Sequence, residues 1–163
     1  MRALSADPRP RLIVACDGAA RGNPGPAGIG AHLTDETGRT VAEVAEGIGI
    51  ATNNVAEYRA AIAGLVRARE LGARTILLRS DSRLLIEQLA GRYKVRNAGL
   101  KPLHAEARRL IAGFDEVDLE HVPREFNVEA DALANAGVDA WLAAGGVRPG
   151  RPDPGTPSSG APR

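Results

Sequence analysis

In RLIVACDGAARGNPGPAGIGAHLT, residues 11–34, a short apolar run ends in an acid and opens into a loop dense in Gly and Pro. The run Leu12-Ile13-Val14-Ala15-Cys16 is continuous and short, which predicts a buried strand over residues 11–17. GIGAHLT, residues 28–34, predicts a second strand. Strand, loop and strand is a different order from the strand, loop and helix of phosphate-binding nucleotide folds. No GK[ST] follows the glycines, and their spacing does not fit a dinucleotide fingerprint. Asp17 therefore needs another explanation, because an acid at the end of a core strand is costly unless it is paired or bound to a cation. The loop beside it carries little side chain. Gly and Pro shape such a turn and leave room for a polyanion close to the backbone.

Outward from this hairpin, DETG at 35–38 is a turn signal, and TVAEVAEGIG at 40–49 carries Val41, Val44 and Ile48 as a loose strand pattern. These three strands can form an antiparallel meander. A helix is predicted over 54–71, with Val55, Tyr58, Ala61, Ile62, Leu65 and Val66 as its apolar stripe and Gly72 as its stop. TILLRS, 75–80, is a strand whose continuous apolar run suits a sheet covered on both faces. A short helix over 82–90, a helix over 101–112, a strand over 116–122 and a helix over 127–142 complete the order. That order implies an α/β domain with a mixed sheet and helices on its faces. The domain is expected over residues 11–144, after a flexible leader at 1–10 and before a disordered Pro/Gly/Ser-rich tail at 145–163.

Composition narrows the class. Aromatic residues make up 3% of the chain, so the core must be built from Ala, Val, Leu and Ile. The single cysteine, Cys16, excludes an internal disulfide framework and a cysteine zinc site, and points to a reducing, cytoplasmic setting. No apolar stretch is long enough for a membrane helix. The net charge of +1 is uninformative, but its distribution is not. Between Arg83 and Arg109 seven Lys/Arg face two acids, and both lysines of the chain, Lys94 and Lys101, lie there. Such a stretch can attract phosphate, or can be a solvated surface.

Four acids sit at element ends: Asp17, Glu57 near the start of the first long helix, Asp81 after TILLRS, and Asp131 near the start of the last helix. Each has an ordinary explanation. Asp81 can be a helix N-cap, and Glu57 and Asp131 can be first-turn acids favoured by the helix dipole. Together, carboxylates converging from separate elements would make a hard-oxygen cage of the kind Mg²⁺ prefers. Two such ions would clamp the attacking and leaving oxygens of a phosphodiester displacement.

Four segments then carry a resemblance. DGAARGNPGPAGIG (17–30), ATNNVAEYRA (51–60), LRSDSRLLIEQL (78–89) and HVPREFNVEADALANAG (121–137) resemble, in order, the motifs of the type 1 ribonuclease H family. The resemblance covers nearly all of residues 11–142. It implies a ribonuclease H-like fold, a five-stranded mixed sheet with its first three strands antiparallel and helices on both faces. It implies an endonuclease that hydrolyses the RNA strand of an RNA–DNA hybrid with two Mg²⁺ (Mn²⁺ also possible), leaving 3′-hydroxyl and 5′-phosphate ends. The family's catalytic, metal-holding carboxylates fall on Asp17, Glu57, Asp81 and Asp131. Its contacts to RNA 2′-hydroxyls and a DNA phosphate fall on Asn23, Thr52, Asn53 and Asn54, of which Asn53 or Asn54 can also cap the helix. An amide can donate to and accept from a 2′-hydroxyl, the group that tells RNA from DNA.

The chain departs from many bacterial members in lacking room for a basic helical protrusion between its two middle helices. It resembles a handle-lacking branch, and its grip on substrate is expected to rest on Tyr93, Lys94, Arg96, Asn97 and Lys101. The family's mobile His corresponds by spacing to His121, whereas the handle-lacking branch uses an Arg, matched by Arg124. Arg124 is the preferred candidate, with an electrostatic role because Arg cannot act as a base near neutral pH. The protein is expected to act as a monomer without a membrane partner. Proofreading exonucleases share the architecture but begin with Asp-x-Glu, whereas Gly18 and Ala19 follow Asp17 here. A binding module that had lost catalysis would have shed an acid. Some relatives are fused to a phosphatase, and the Pro/Gly-rich tail fits a linker to a second activity.

Overall fold

The computed structural model describes residues 11–146. The leader at 1–10 and all but the first two residues of the expected tail lie outside the described residues. Five strands and four helices follow in the order β1 (Arg11–Ala20), β2 (Gly25–Thr34), β3 (Thr40–Ala51), α1 (Asn53–Glu70), β4 (Thr75–Ser80), α2 (Arg83–Leu89), α3 (Lys101–Ala112), β5 (Glu116–His121) and α4 (Val128–Ala143), with a single 3₁₀ turn, Arg124–Phe126, before α4. The strands form one sheet in the order β3-β2-β1-β4-β5. β1–β2 and β2–β3 are antiparallel, while β1–β4 and β4–β5 are parallel. The expected meander and mixed sheet are both present.

The first two strands are longer than their apolar runs. Asp17 pairs with Gly30 and Ala20 with Ala27 in β1–β2, and Gly25 pairs with Ala51 in β2–β3. Gly and Ala have little strand propensity of their own, so the ladders on either side impose strand geometry on residues 18–20 and 25–27. The hairpin loop shrinks to residues 21–24, and its Asn23–Pro24 bond is cis.

Leu12, Val14, Cys16, Ile29, Ala31, Leu33, Ile76 and Leu78 from the sheet pack with Tyr58, Ala61, Leu65, Leu85, Leu89 and Leu110 from the helices. This is the aliphatic core the composition required, with Tyr58 as its one large aromatic. The Tyr58 hydroxyl donates to Gln88 Oε1 at 2.6 Å, so its polar tip is satisfied. α1 lies on one face of the sheet and α4 on the other. The α1 residue Gly64 meets Val14 and Ala31, whereas Gly28 and Gly30 of β2 point at the α4 backbone. A Cβ on Gly30 would stand 2.3 Å from the Ala130 carbonyl oxygen, so α4 can approach β2 this closely only across glycine. α4 presents Ala130, Ala134, Gly137 and Val138 in return.

One expectation is corrected here. β4 alternates between buried and half-buried positions, with Thr75, Leu77 and Arg79 only partly covered. α4 lies over β1, β2 and β3, so the apolar run TILLRS is sealed on one face and partly open on the other. Arg79 uses that opening to pair with Glu120 of β5 at 2.5 Å.

Candidate active site

Asp17, near the end of the central strand, is 4% exposed. The next residue explains how Glu57 comes to meet it. A Cβ on Gly18 would lie 2.3 Å from the Ala56 carbonyl carbon and 2.4 Å from the Glu57 nitrogen, so α1 rests directly on the Gly18 backbone. Glu57 then turns back and its Oε1 accepts the Gly18 N–H at 2.9 Å. The bareness of the strand end at Gly18, like that of Gly28 and Gly30, is filled by the protein's own helices. For Gly18 this corrects the explanation of the bare loop after Asp17 by the approach of a polyanion.

Two ordinary explanations of the acids fall away. The N-cap of α2 is Ser82, whose hydroxyl accepts the Leu85 N–H, so Asp81 is released from capping. α1 has no acid in its first turn and is capped by Thr52, so Glu57 is not a dipole acid. Asp131 does lie in the first turn of α4, where the helix dipole favours it. One carboxylate oxygen from each of Asp17, Glu57 and Asp81 lies within 4.8 Å of the others. Asp131 is outside that triad, but near enough for its charge to act on Asp17.

The electrostatics follow from this crowding. Burial pushes Asp17 up to about 9, and the charges of Glu57, Asp81 and Asp131 add to the rise. Burial also lifts Glu57 to about 8, against the pull of the Gly18 N–H and the Arg124 guanidinium. Asp81 is raised by burial, with the Asp17 hydrogen bond and Arg124 opposing. Cys16 is buried, and burial followed by the same three carboxylates holds its thiol well above the usual range. It is a protonated packing residue. The site is an all-oxygen donor set with excess negative charge that Arg124 does not neutralise. A hard divalent cation fits it.

The remaining candidates separate into groups. Arg124 lies close enough for its positive charge to act on both Glu57 and Asp81. His121 is exposed at the end of β5. Glu87 is held below the usual carboxylate range chiefly by its hydrogen bond to Arg92, and His121 contributes to that lowering. Asn23 and Asn53 are engaged with each other's segments. Asn23 Oδ1 accepts the Asn53 N–H at 3.1 Å, and Asn53 Oδ1 accepts the Ala20 N–H at 3.1 Å. Both amides thus direct their NH₂ groups away from these bonds. Asn54 is exposed. Neither Asn53 nor Asn54 is the cap, because Thr52 Oγ1 accepts the Val55 N–H.

The segment between α2 and α3 has no helix, as the missing protrusion required. Tyr93, Lys94 and Lys101 line an open depression of about 490 Å³ with His104 and Arg108. Arg96 is exposed outside that lining, and Asn97 serves the turn into α3, its Oδ1 accepting the Gly99 N–H at 2.7 Å.

Asn127 escaped the sequence reading. It is 1% exposed, and its Nδ2 donates to the Cys16 carbonyl at 2.9 Å. Its own carbonyl accepts the Asp131 N–H at 3.1 Å. One residue thus ties the start of α4 to the strand position before Asp17 and brings Asp131 beside it. The only hint in the sequence was an Asn just before a helix, which reads as an ordinary cap, yet this side chain makes no capping bond.

A family model described as reverse transcriptase-like matches residues 15–137. A ribonuclease H of Chromohalobacter salexigens is 35% identical over 150 residues, which cover 83% of this chain and 88% of that protein. The chain belongs to the ribonuclease H family. Ribonuclease HI of Halobacterium salinarum is 48% identical over 123 residues, covering 76% of this chain and 62% of that one. A structure of the N-terminal RNase H domain of Rv2228c from Mycobacterium tuberculosis superimposes with a TM-score of 0.80 at 43% identity, covering 83% of this chain and 98% of that one. The chain spans 36% of the length of the curated mycobacterial relatives it matches. The ribonuclease H fold expected from the four motifs is therefore present. Among the described residues no helix is long and apolar enough to cross a membrane.

Proposed function

We propose that this ribonuclease H domain is an endonuclease that hydrolyses the RNA strand of RNA–DNA hybrids, leaving 3′-hydroxyl and 5′-phosphate ends. The observation that carries the proposal is the convergence of Asp17, Glu57 and Asp81 within 4.8 Å, with no competing role for Asp81 or Glu57. A relative supports the choice of substrate. LC11-RNase H1, described in complex with an RNA/DNA hybrid, matches at a TM-score of 0.77 and 40% identity over 80% of this chain and 99% of that one.

Asp17, Glu57, Asp81 and Asp131 would hold two Mg²⁺, or Mn²⁺ in their place. Bound there, such ions supply charge neutralisation at the scissile phosphate and a water of lowered pKa. The chain supplies the rest. The Gly18 N–H fixes Glu57 against Asp17. Arg124 brings the positive charge acting on Glu57 and Asp81, and in the proposal it stabilises negative charge as it grows on the phosphate. His121 takes no part. Asn23 and Asn53, with their oxygens committed internally, offer NH₂ donors to a phosphate or a sugar oxygen, and Thr52 and Asn54 complete that edge. Tyr93, Lys94, Arg96 and Lys101 hold the DNA-strand backbone, and Asn97 shapes the turn that presents them. Contacts of this kind set position and affinity but carry no sequence information.

The test is cleavage of an end-labelled RNA–DNA hybrid with and without Mg²⁺, beside matched RNA and DNA duplexes, with the product ends mapped enzymatically. Metal-dependent internal cuts in the RNA of the hybrid alone are expected. Equal cleavage of the DNA duplex, or cleavage undiminished by a chelator, would overturn the proposal.

A further inference from the structure

Arg21, in the turn two residues before Asn23, reaches across to α4. Its Nη1 donates to Asp139 Oδ1 at 2.7 Å. Its Nη2 donates to Asn135 twice, to the side-chain oxygen at 3.3 Å and to the backbone carbonyl at 3.4 Å. Asn135 Nδ2 then donates to the Asp131 backbone carbonyl at 3.0 Å and lies 3.5 Å from Asp131 Oδ1. A guanidinium only donates and a carboxylate only accepts. The Asn135 amide is therefore held one way round, oxygen toward Arg21 and NH₂ toward Asp131. Turned over, it would set its oxygen against the carboxylate and its NH₂ against the guanidinium.

The four acids differ in how they are held. Glu57 is anchored by the Gly18 N–H, and Asp17 is buried on a central strand. Asp131 stands outside the triad whose oxygens lie within 4.8 Å. Among the described residues Asn135 is the side chain that donates to it. From these contacts we infer that Arg21 and Asn135 are positioning residues for Asp131. Arg21 orients the Asn135 amide, the amide fixes the Asp131 carboxylate that would serve as a ligand to a bound metal ion, and the chain of contacts joins that carboxylate to the loop bearing Asn23. The inference rests on the hybrid-hydrolysis reading of the site and deepens it. A lysine could not replace Arg21, because one ammonium cannot span Asp139 and Asn135 as the planar fork does.

The experiment uses Arg21→Leu, Arg21→Lys and Asn135→Ala beside the unaltered protein. Mn²⁺ binding is measured by calorimetry without nucleic acid, and hybrid cleavage is followed against Mn²⁺ concentration. Arg21→Leu and Asn135→Ala are expected to weaken Mn²⁺ binding and raise the half-maximal Mn²⁺ for cleavage by roughly three- to tenfold, the worth of one hydrogen bond of ordinary strength, since the Asn135–Asp131 carboxylate contact is long at 3.5 Å. The rate should return at saturating Mn²⁺, with KM for hybrid unchanged. Arg21→Lys should recover only part of the loss. If Arg21→Leu does not fold, Arg21→Gln, which keeps an amide donor, takes its place. Variants that melt earlier but bind Mn²⁺ as the unaltered protein does would overturn the inference and leave a mere tie between loop and helix. An unaltered protein that neither binds Mn²⁺ nor cuts hybrid would instead bring down the site reading, and this inference with it.

Discussion

Gly18→Ala tests the contact on which the site is built. The added methyl would stand 2.3 Å from the Ala56 carbonyl carbon and 2.4 Å from the Glu57 nitrogen, where ordinary contact begins at 3.4 Å. All three nearest atoms are backbone, so no side chain can swing aside. α1 must retreat by about 1 Å at its N-terminal end, which is the shortfall between those distances. Overpacking of this kind typically costs about 1–3 kcal/mol. That lowers the melting temperature by several degrees in a domain of this size. The larger effect should be on chemistry. A 1 Å retreat stretches the Glu57–Gly18 hydrogen bond beyond its 2.9 Å and opens the carboxylate triad. Misplacement on that scale can cost on the order of a hundredfold in rate. Gly38→Ala is the control. Gly38 has φ +91° and nothing within 4 Å of an added Cβ, so it should lose stability from backbone strain and keep its kcat. Thermal melts and single-turnover hybrid cleavage on both variants decide the matter. Gly18→Ala with wild-type melting and wild-type rate would refute the account of how Glu57 reaches Asp17.

Asp17→Asn should abolish cleavage while leaving hybrid binding largely intact, and should raise the metal-free melting temperature by relieving repulsion among the acids; near-normal cleavage would end the metal-cage reading. The metal-free protein should also lose stability as pH rises. Asp17 shifts from 3.8 to about 9 and Glu57 from 4.5 to about 8 on folding, so between those limits the folded state holds the more protons and each pH unit favours unfolding. The destabilisation is absent below the unfolded values and complete above the folded ones. The melting temperature without metal should be higher at pH 5 than at pH 8, and stabilisation by Mg²⁺ should grow over the same range; a flat or rising metal-free profile would contradict the crowding. Replacing Lys94, Arg96 and Lys101 together by Ala should raise KM, leave kcat nearly unchanged and flatten the salt dependence of binding; an unaltered salt slope would make the stretch a plain solvated surface. Asn54→Ala should slow cleavage roughly three- to tenfold, most on duplexes with short RNA runs, as expected for one lost sugar contact. Because Thr52 caps α1, the melting temperature should hold, and equal slowing on long and short RNA runs would place the sugar contact elsewhere.

Much was legible in the chain because much is local. Apolar runs and helical periods depend on residues a few positions apart, and TILLRS and the helix at 101–112 fall where those patterns put them. The four acids were visible as acids at element ends, a matter of order along the sequence. Local pattern fails where neighbours in space outweigh neighbours in sequence. GAA at 18–20 and GPA at 25–27 have no strand character alone and become strand because ladders flank them. Tertiary structure also decided which acids were free. Whether Asp81 or Ser82 caps α2 turns on a backbone angle that either residue type allows. That Gly18 seats α1, that Asn127 clasps Cys16 from 111 residues away, and that Arg21 reaches Asp139 over 118 depend on the packing of separate elements. Composition at each position permits such contacts, but only the closed sheet with a helix on each face brings the groups within hydrogen-bonding distance.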